Sequence, residues 1–268
     1  MGKIICVANQ KGGVGKTTTV INLGASLATR GKKTLLIDLD PQANTTSGVG
    51  LDKSGVDKGI YFALIGEVEF KETIVEICPE ELKHNLSACP SNADLTGASV
   101  ELTNASNREW RLRNALRPVA PEYDFVIIDC PPSLGILTVN AFGAADSVLI
   151  PIQCEYYAME GLSDLQNTFE LIRDYVNPAL EIEGYLLTMF DPRNKLAHVV
   201  AGEVRGYFNN IVFDTIIPRN VRLAESPSYG IPVIMYDRHS SGATSYLSLA
   251  EEIITRNGGE GGKGGERT

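Results

Sequence analysis

The segment after the first apolar run of the chain has the residue types of a phosphate-binding loop. The apolar run covers 4–8, and a helix-like segment covers 16–30. The motif Lys11-Gly12-Gly13-Val14-Gly15-Lys16-Thr17-Thr18 spans the end of the loop between them and the start of the helix-like segment. A glycine-rich turn between a strand and a helix exposes backbone N–H groups that bind phosphate oxygens. In such a loop Lys16 would contact the β- and γ-phosphates of a nucleotide, and the Thr17 hydroxyl would contact Mg²⁺.

The front of this loop departs from the common phosphate-binding form. That form has a glycine where this chain has Gln10, and an additional lysine, Lys11, follows. The variant pattern resembles the deviant Walker A motif of the ParA/MinD class of P-loop ATPases. The resemblance implies that residues 11–18 bind ATP and that Lys16 is catalytic. It also implies that Lys11 is catalytic, by reaching across a dimer interface to the nucleotide of the other subunit.

Two further apolar runs end in aspartates, at 35–40 and at 125–129. Ligands of an open parallel sheet bind beyond the carboxyl ends of its strands, so Asp38, Asp40 and Asp129 are expected to face the phosphates. The resemblance implies that Asp40 positions the attacking water and that Asp38 supports the Mg²⁺ shell. It implies that Asp129 holds Mg²⁺ through a water molecule, because Mg²⁺ keeps much of its hydration shell. One of the first two aspartates has an alternative role as a helix cap.

Strand-like and helix-like segments alternate along most of the chain. The strand-like runs are short, continuous and rich in Val, Ile and Leu, as in parallel strands buried on both faces: 3–8, 34–38, 125–129, 148–152, 185–190 and 212–217. The clearest helix-like segments are 16–30, 160–176 and 247–255. This alternation predicts an α/β fold with a single doubly wound, mostly parallel sheet flanked by helices.

Two parts of the chain lack this regular pattern. The segment 51–117 is expected to form helices and loops beside the sheet. The last residues, 257–268, are rich in glycine and are expected to be a disordered tail. One ATPase domain is therefore expected to cover 1–256.

Charge and composition narrow the classes of partner. A formal net charge of −9 over 268 residues argues against a uniformly basic nucleic-acid binder, although it permits a local basic patch. The five cysteines have no framework spacing, which fits a reducing cytoplasm. No apolar run approaches the ~20 residues that a membrane-spanning helix needs, so no membrane partner is expected.

Three later segments, 151–155, 187–191 and 217–228, resemble the chromosome-partitioning ParA/Soj branch of the class. The resemblance implies that Met189, Pro218 and Arg219 lie near the adenine. It implies that an ATP-bound homodimer binds double-stranded DNA without sequence preference, through Arg193 and Arg222. It further implies that a ParB-like centromere-binding partner stimulates weak, Mg²⁺-dependent ATP hydrolysis, which releases the dimer from the nucleoid and segregates a chromosome or plasmid.

Three other functions are compatible with a loop of this type. A ParA-like positioner of another cellular cargo is hardly separable by sequence. A MinD-like division-site ATPase needs an amphipathic, basic C-terminal helix, whereas this chain ends in glycine-rich sequence. An electron-transfer protein of the nitrogenase-reductase type needs two cluster cysteines in each subunit, and the contexts of Cys130 and Cys154 do not match that family.

Overall fold

One mixed sheet forms the centre of the molecule. The computed structural model describes residues 2–258, apart from 78, 80, 81, 83 and 156–161. Within this part of the chain, the sheet has seven strands in the order β3-β4-β2-β5-β1-β6-β7, and all neighbours are parallel except β3 and β4. The strands are β1 Lys3–Val7, β2 Thr34–Asp38, β3 Val75–Glu76, β4 Leu86–Cys89, β5 Phe125–Asp129, β6 Ser147–Gln153 and β7 Glu181–Thr188.

Helices cover both faces of this sheet. The α-helices are α1 Lys16–Thr29, α2 Asn44–Gly48, α3 Ile60–Ile65, α4 Leu95–Glu101, α5 Arg111–Leu116, α6 Ile136–Ala144, α7 Leu162–Tyr175, α8 Lys195–Phe208, α9 Val221–Glu225, α10 Val233–Tyr236 and α11 Ser241–Gly258. Residues of α1 and α11 share one core cluster, and residues of α3 to α8 share the other. The predicted doubly wound α/β fold is confirmed.

The central strands contribute side chains to both cores in alternation. On β5, Val126 and Ile128 belong to one core cluster, whereas Phe125 and Ile127 belong to the other. Burying one such aliphatic side chain stabilises the fold by about 1.5–3 kcal/mol. This double burial explains why these strands are continuous apolar runs, and it places their carboxyl ends at one edge of a rigid sheet.

The predicted strand 212–217 is wrong. Two isolated bridges, Tyr185 with Val212 and Phe190 with Pro218, connect this part of the chain to β7 and to the second residue after it. The N–H groups of Phe213 and Ile217 donate to β7, but they form no continuous ladder. The backbone N–H groups of Asp214 and Thr215 donate instead to the carboxylate of Glu252 on α11, at 2.9 and 3.0 Å. A side chain therefore takes the hydrogen bonds that a neighbouring strand would have provided.

The segment 51–117 contains two strands that the sequence analysis did not predict. β4 lies beside β2, and β3 pairs antiparallel with β4 at the edge of the sheet. β4 contains Ser87 and Ala88, so it lacks the aliphatic run by which the other parallel strands were found. The helices predicted in this segment are present as α3, α4 and α5.

The ends of two predicted helices also differ from the structure. α11 begins before the predicted 247–255 helix and continues to Gly258, so the first two residues of the predicted tail are helical. The rest of that tail, 259–268, lies outside the described residues, as do the first two residues of the predicted helix 160–176. Among the residues that the structure describes, no helix combines the length and apolar character needed to cross a bilayer.

Candidate nucleotide and metal site

The loop between β1 and α1 has the backbone of a phosphate cradle. Gly13 and Gly15 adopt φ values of 74° and 92°, in the left-handed region that favours glycine. Around a Cβ built on Gly12 or Gly13 there is no atom within 4 Å, so this side of the loop faces open space. The Lys16 Nζ donates to the Lys11 carbonyl at 3.0 Å, which brings the two ends of the loop together.

Two side chains that the sequence analysis did not select fix this loop to the sheet. The Asn9 amide donates to the Pro151 carbonyl at 2.8 Å, and its Oδ1 accepts from the Lys11 N–H at 2.9 Å. The Thr188 hydroxyl, at the end of β7, donates to the Val14 carbonyl at 2.9 Å. The contacts of Asn9 with Pro151 and of Thr188 with Val14 join positions that are far apart in the sequence, so no local pattern identifies them.

Lys16 is buried at the start of α1, with 7% of its surface exposed. Burial lowers the pKa of its ammonium, and the nearby carboxylates of Asp129 and Asp40 oppose that shift. The structure therefore brings three predicted site residues close enough to interact electrostatically. The predicted metal-binding residue Thr17 follows Lys16 and is half-buried at the mouth of the loop.

Asp129 ends β5 and is fully buried. Its Oδ2 accepts a hydrogen bond from the Thr45 hydroxyl at 2.7 Å, whereas its Oδ1 has no hydrogen-bond partner among the described residues. Burial, followed by the charge of Asp38 beside it in the sheet, raises the pKa of Asp129 to about 7. An unpartnered buried carboxylate oxygen is costly in water-free surroundings, and a cation supplies the missing interaction.

Asp38 lies opposite Asp129 on β2, but its environment is different. Its Oδ2 accepts from both the backbone N–H and the hydroxyl of Thr46, each at 2.7 Å, and its Oδ1 accepts from the Asp40 N–H at 3.2 Å. Burial raises the pKa of Asp38 to about 6. Because Thr46 lies in the first turn of α2, this geometry matches the alternative role as a capping acceptor for a helix N–H group.

Asp40 follows β2 and is half-buried. Its Oδ1 accepts from the Gln42 N–H at 3.0 Å, and its backbone carbonyl accepts from the Ala43 N–H at 2.9 Å. Asp40 therefore lies in a tight turn between β2 and α2, with its side chain at the edge of the site. This placement leaves its side chain accessible to solvent.

The donor set fits magnesium better than a metal held by protein alone. No group of three or more His, Cys, Asp or Glu side chains among the described residues is arranged to hold a metal ion. Mg²⁺ typically uses one or two carboxylates together with phosphate oxygens and water. The free Oδ1 of Asp129 and the hydroxyl of Thr17 are groups of that kind beside the loop.

A cavity of about 190 Å³ opens beside the loop, and the residues predicted to lie near an adenine line it. Met189 holds a left-handed backbone conformation with φ 52°. The next residue fixes the wall of the cavity, because the Phe190 N–H donates to the Ile217 carbonyl at 3.1 Å and its carbonyl accepts from the Arg219 N–H at 2.9 Å. The lining residues are Gly15, Thr18, Thr188, Met189, Ile217, Pro218, Arg219, Asn220, Leu223, Ala224 and Tyr246.

The two arginines predicted to bind DNA are exposed, and each is paired with a carboxylate. Arg193 forms hydrogen bonds to both oxygens of Asp191, at 2.8 and 3.0 Å, and 88% of its side-chain surface is exposed. Arg222 contacts Glu225 at 2.8 Å and Asp237 at 3.3 Å. Neither arginine takes part in the loop or the carboxylate pair.

Similar proteins decide the family. A family model described as an AAA domain matches residues 2–182. The chromosome partitioning protein ParA of Myxococcus xanthus is 57% identical over 256 residues, which are 96% of this chain and 89% of that protein. The chain belongs to the ParA/Soj family. Another relative, the sporulation initiation inhibitor protein Soj of Bacillus subtilis, is 52% identical and covers 94% of this chain and 98% of its own. The predicted resemblance is confirmed.

A solved structure of a protein with a different name has the same fold. Cobyrinic acid a,c-diamide synthase from Mycobacterium smegmatis with bound ADP and magnesium has a TM-score of 0.83 and 34% sequence identity, and the match covers 100% of both chains. The P-loop fold is therefore shared with a protein that holds a nucleotide and magnesium. The relative from Myxococcus xanthus is named for chromosome partitioning.

Proposed function

We propose that this chain is an Mg²⁺-dependent ATPase that acts as a nucleotide switch in DNA partitioning. The observation that carries the proposal is the free, buried Oδ1 of Asp129 beside a phosphate cradle that contains Lys16. Mg²⁺ would bridge phosphate oxygens and neutralise the charge that develops on them. Thr17 and Asp129 would hold the ion, and Asp38 would support them from the neighbouring strand.

The chain's own groups would act mainly by position and charge. The N–H groups of residues 12–18 bind phosphate oxygens, and Lys16 stabilises the β- and γ-phosphates. Asp40 orients the attacking water. Lys11 of the other subunit of a homodimer stabilises the charge of the transition state. Hydrolysis of this kind needs little covalent chemistry from the protein.

The cavity beside the loop has the place and lining of an adenine site. Met189, Pro218 and Arg219 would surround the base, with Tyr246 below it. This volume is only part of a drug-sized pocket, because the phosphates and ribose would lie along the open loop. Carbonyl groups of the 217–219 segment would accept hydrogen bonds from the base, because the N–H groups of Ile217 and Arg219 already donate to Leu187 and Phe190.

Nucleotide state would set the affinity for DNA. The ATP-bound dimer presents Arg193 and Arg222 to the phosphate backbone, and the ADP-bound chain does not form that surface. A ParB-like partner stimulates hydrolysis, and hydrolysis releases the dimer from the DNA of the nucleoid. The protein would therefore act in the cytoplasm. The names of the relatives from Myxococcus and Bacillus support a partitioning role.

Asp40→Ala should bind double-stranded DNA in ATP and lose that binding in ADP. The substitution removes the group that orients water, so the ATP-bound dimer persists. Binding of a fluorescent, arbitrary-sequence duplex should fall steeply between 50 and 200 mM salt, because contacts to several phosphates release counterions. Fluorescence anisotropy with ATP and with ADP, at both salt concentrations, measures the switch.

Asp94→Ala provides the matched control, because Asp94 is an exposed aspartate near the start of α4, whose side chain accepts only a local amide contact. It should hydrolyse ATP and release DNA as the unmodified chain does. Equal DNA binding by Asp40→Ala in ATP and ADP would contradict the switch. A dimer that forms in ATP without binding DNA would favour a different cargo.

Arg193→Ala and Arg222→Ala, each made in the Asp40→Ala chain, should weaken DNA binding equally for all sequences. Each change removes one phosphate contact from each subunit of the dimer, so the slope of log affinity against log salt should decrease by about 2. Arg117→Ala is the control, because this exposed arginine lines a cavity with Gly2 and Asp146, which directly precede β1 and β6, away from the carboxyl ends of the strands. Unchanged salt slopes for both tested variants would exclude these two side chains from the interface.

A further inference from the structure

Helix α2 lies directly beside both buried carboxylates of the site. It follows the turn that contains Asp40, and its first residue comes after Ala43, a buried alanine with φ 54°. A left-handed conformation costs a non-glycine residue on the order of 1 kcal/mol or more, and it persists only where the surroundings impose it. The start of α2 is therefore fixed by contacts beyond its own backbone.

Two consecutive threonines provide those contacts. The side chains of Thr45 and Thr46 are completely buried. The Thr46 hydroxyl donates to Asp38 Oδ2 at 2.7 Å and accepts from the Ser91 N–H at 2.9 Å, which ties α2 to β2 and to the residues after β4. With α2 held in this way, the Thr45 hydroxyl donates to Asp129 Oδ2 at 2.7 Å.

The Thr45 hydroxyl differs from most buried threonine hydroxyls among the described residues. Thr73, Thr138 and Thr188 donate to backbone carbonyls, and Thr19 pairs with the Tyr246 hydroxyl. Thr45 instead donates to a carboxylate oxygen whose twin has no partner among the described residues. The buried Ser147 hydroxyl also donates to a carboxylate, but that carboxylate, on Glu183, forms an ion pair with Lys3. Within the described part of the chain, Asp129 has no such pair at its second oxygen, which lies beside the phosphate loop.

We propose that Thr45 is a positioning residue for the divalent cation of the site. Its hydroxyl holds Asp129 Oδ2, so that the carboxylate plane is fixed and Oδ1 stays free for the cation or for its bound water. Thr45 touches the ligand and not the metal, as outer-sphere partners of metal sites do. This inference rests on the proposed function, since it assumes that the site binds Mg²⁺ together with a nucleotide.

Thr45→Val tests this role, because valine keeps the branched shape and removes the hydroxyl. The measurement is a titration with Mg²⁺ of the binding of a fluorescent, non-hydrolysable ATP analogue to the full-length chain. The concentration of Mg²⁺ at half-saturation should rise by about tenfold or more, the usual effect of losing an outer-sphere partner. Binding of the analogue in EDTA should stay within about twofold of the unmodified chain, because the Thr45 hydroxyl donates to Asp129 and not to the phosphate loop.

Two companion variants separate positioning from stability. Thr45→Ser keeps the hydroxyl and should restore the Mg²⁺ dependence, even if the loss of a methyl group lowers the melting temperature. Thr73→Val removes an equally buried hydroxyl elsewhere and should leave the Mg²⁺ dependence unchanged. If Thr45→Val does not fold, Thr45→Ala replaces it in the same comparison with Thr45→Ser.

The outcomes also distinguish this inference from the proposed function. If the unmodified chain binds the analogue without any response to Mg²⁺, the proposed function fails before Thr45 is tested. If the unmodified chain responds to Mg²⁺ and Thr45→Val responds at the same concentration, the positioning role is overturned. The positioning role is supported if the Mg²⁺ concentration at half-saturation rises tenfold in Thr45→Val and returns to the unmodified value in Thr45→Ser.

Discussion

Asp129→Asn is expected to make the nucleotide-free chain more stable at pH 8 and to remove its response to Mg²⁺. Asp129 is fully buried, its pKa is raised to about 7, and its neighbour Asp38 is buried too. Keeping two adjacent carboxylates ionised without a cation is unfavourable, since burial and mutual repulsion both oppose the charge. A neutral amide of the same shape removes one of these charges.

The sign of the pH effect follows from the raised pKa. An unfolded aspartate has a pKa near 3.9, so between about pH 4 and pH 7 the folded chain keeps a proton that the unfolded chain has lost. The free energy of unfolding therefore decreases as pH rises through this window. Asparagine has no such proton, so the advantage of Asp129→Asn should be small at pH 5 and reach roughly 1–3 kcal/mol at pH 8, after the cost of a poorly bonded amide.

Urea unfolding in EDTA at pH 5 and pH 8 measures this difference. Asp57→Asn is the control, because Asp57 is exposed and surface substitutions usually change stability by less than about 0.5 kcal/mol. In the same preparation, Asp129→Asn should lose Mg²⁺-dependent hydrolysis by about 100-fold or more, the effect of removing one preorganised electrostatic group. A variant that is less stable than the unmodified chain at pH 8, but not at pH 5, would contradict the burial argument.

The phosphate loop and most of the sheet are the parts of the structure that the sequence predicted correctly. The phosphate loop and the strands that end in Asp38 and Asp129 were predicted because each depends on residues that are neighbours in the chain. A glycine-rich turn after an apolar run needs no knowledge of the rest of the fold. The doubly wound sheet followed from the alternation of strands and helices for the same reason.

The residues that the sequence analysis missed act through contacts between distant segments. Asn9 bonds to Pro151, Thr188 to Val14, and Thr45 to Asp129. Their types are common, and the tertiary fold brings each to its partner. Similarly, the run 212–217 has the composition of a strand, but the N–H groups of Asp214 and Thr215 donate to Glu252 on α11, which is distant in the sequence.

The two strand-end aspartates illustrate a further limit. Their positions after apolar strands predicted that both face the phosphates, and the family resemblance implied that both serve the metal. In the structure the oxygens of Asp38 already accept hydrogen bonds from Thr46 and Asp40, whereas Asp129 keeps one oxygen free. Which carboxylate is available depends on the placement of α2, and no feature of the strand sequences determines that placement.

Lys11→Ala is expected to lower ATP hydrolysis by about 100-fold or more while a single chain still binds nucleotide. The loop uses the backbone of Lys11, whose N–H donates to Asn9 and whose carbonyl accepts from Lys16. Its ammonium forms no hydrogen bond or ion pair within the described part of the chain. Alanine therefore preserves the contacts that shape the loop and removes a charge that is available to another subunit.

Mixing two inactive variants tests whether that charge acts across the dimer. A Lys11→Ala chain retains Asp40, and an Asp40→Ala chain retains Lys11. If Lys11 acts on the nucleotide of the other subunit, a mixed dimer contains one complete site, formed by Asp40 of the first chain and Lys11 of the second. Equimolar mixing before ATP is added should then restore hydrolysis, up to about a quarter of the activity of the unmodified chain, because half of randomly formed dimers are mixed and each has one complete site.

The same experiment excludes the simpler reading of Lys11 as a residue of its own site. If Lys11 acted within its own subunit, neither chain of a mixed dimer would hold both Lys11 and Asp40, and activity would stay at the level of the separate variants. Lys11→Arg controls for charge alone, because a longer guanidinium keeps the positive charge but not the compact ammonium. Binding of labelled ATP by each variant must remain near that of the unmodified chain, so that restored hydrolysis reports the composite site and not recovered affinity.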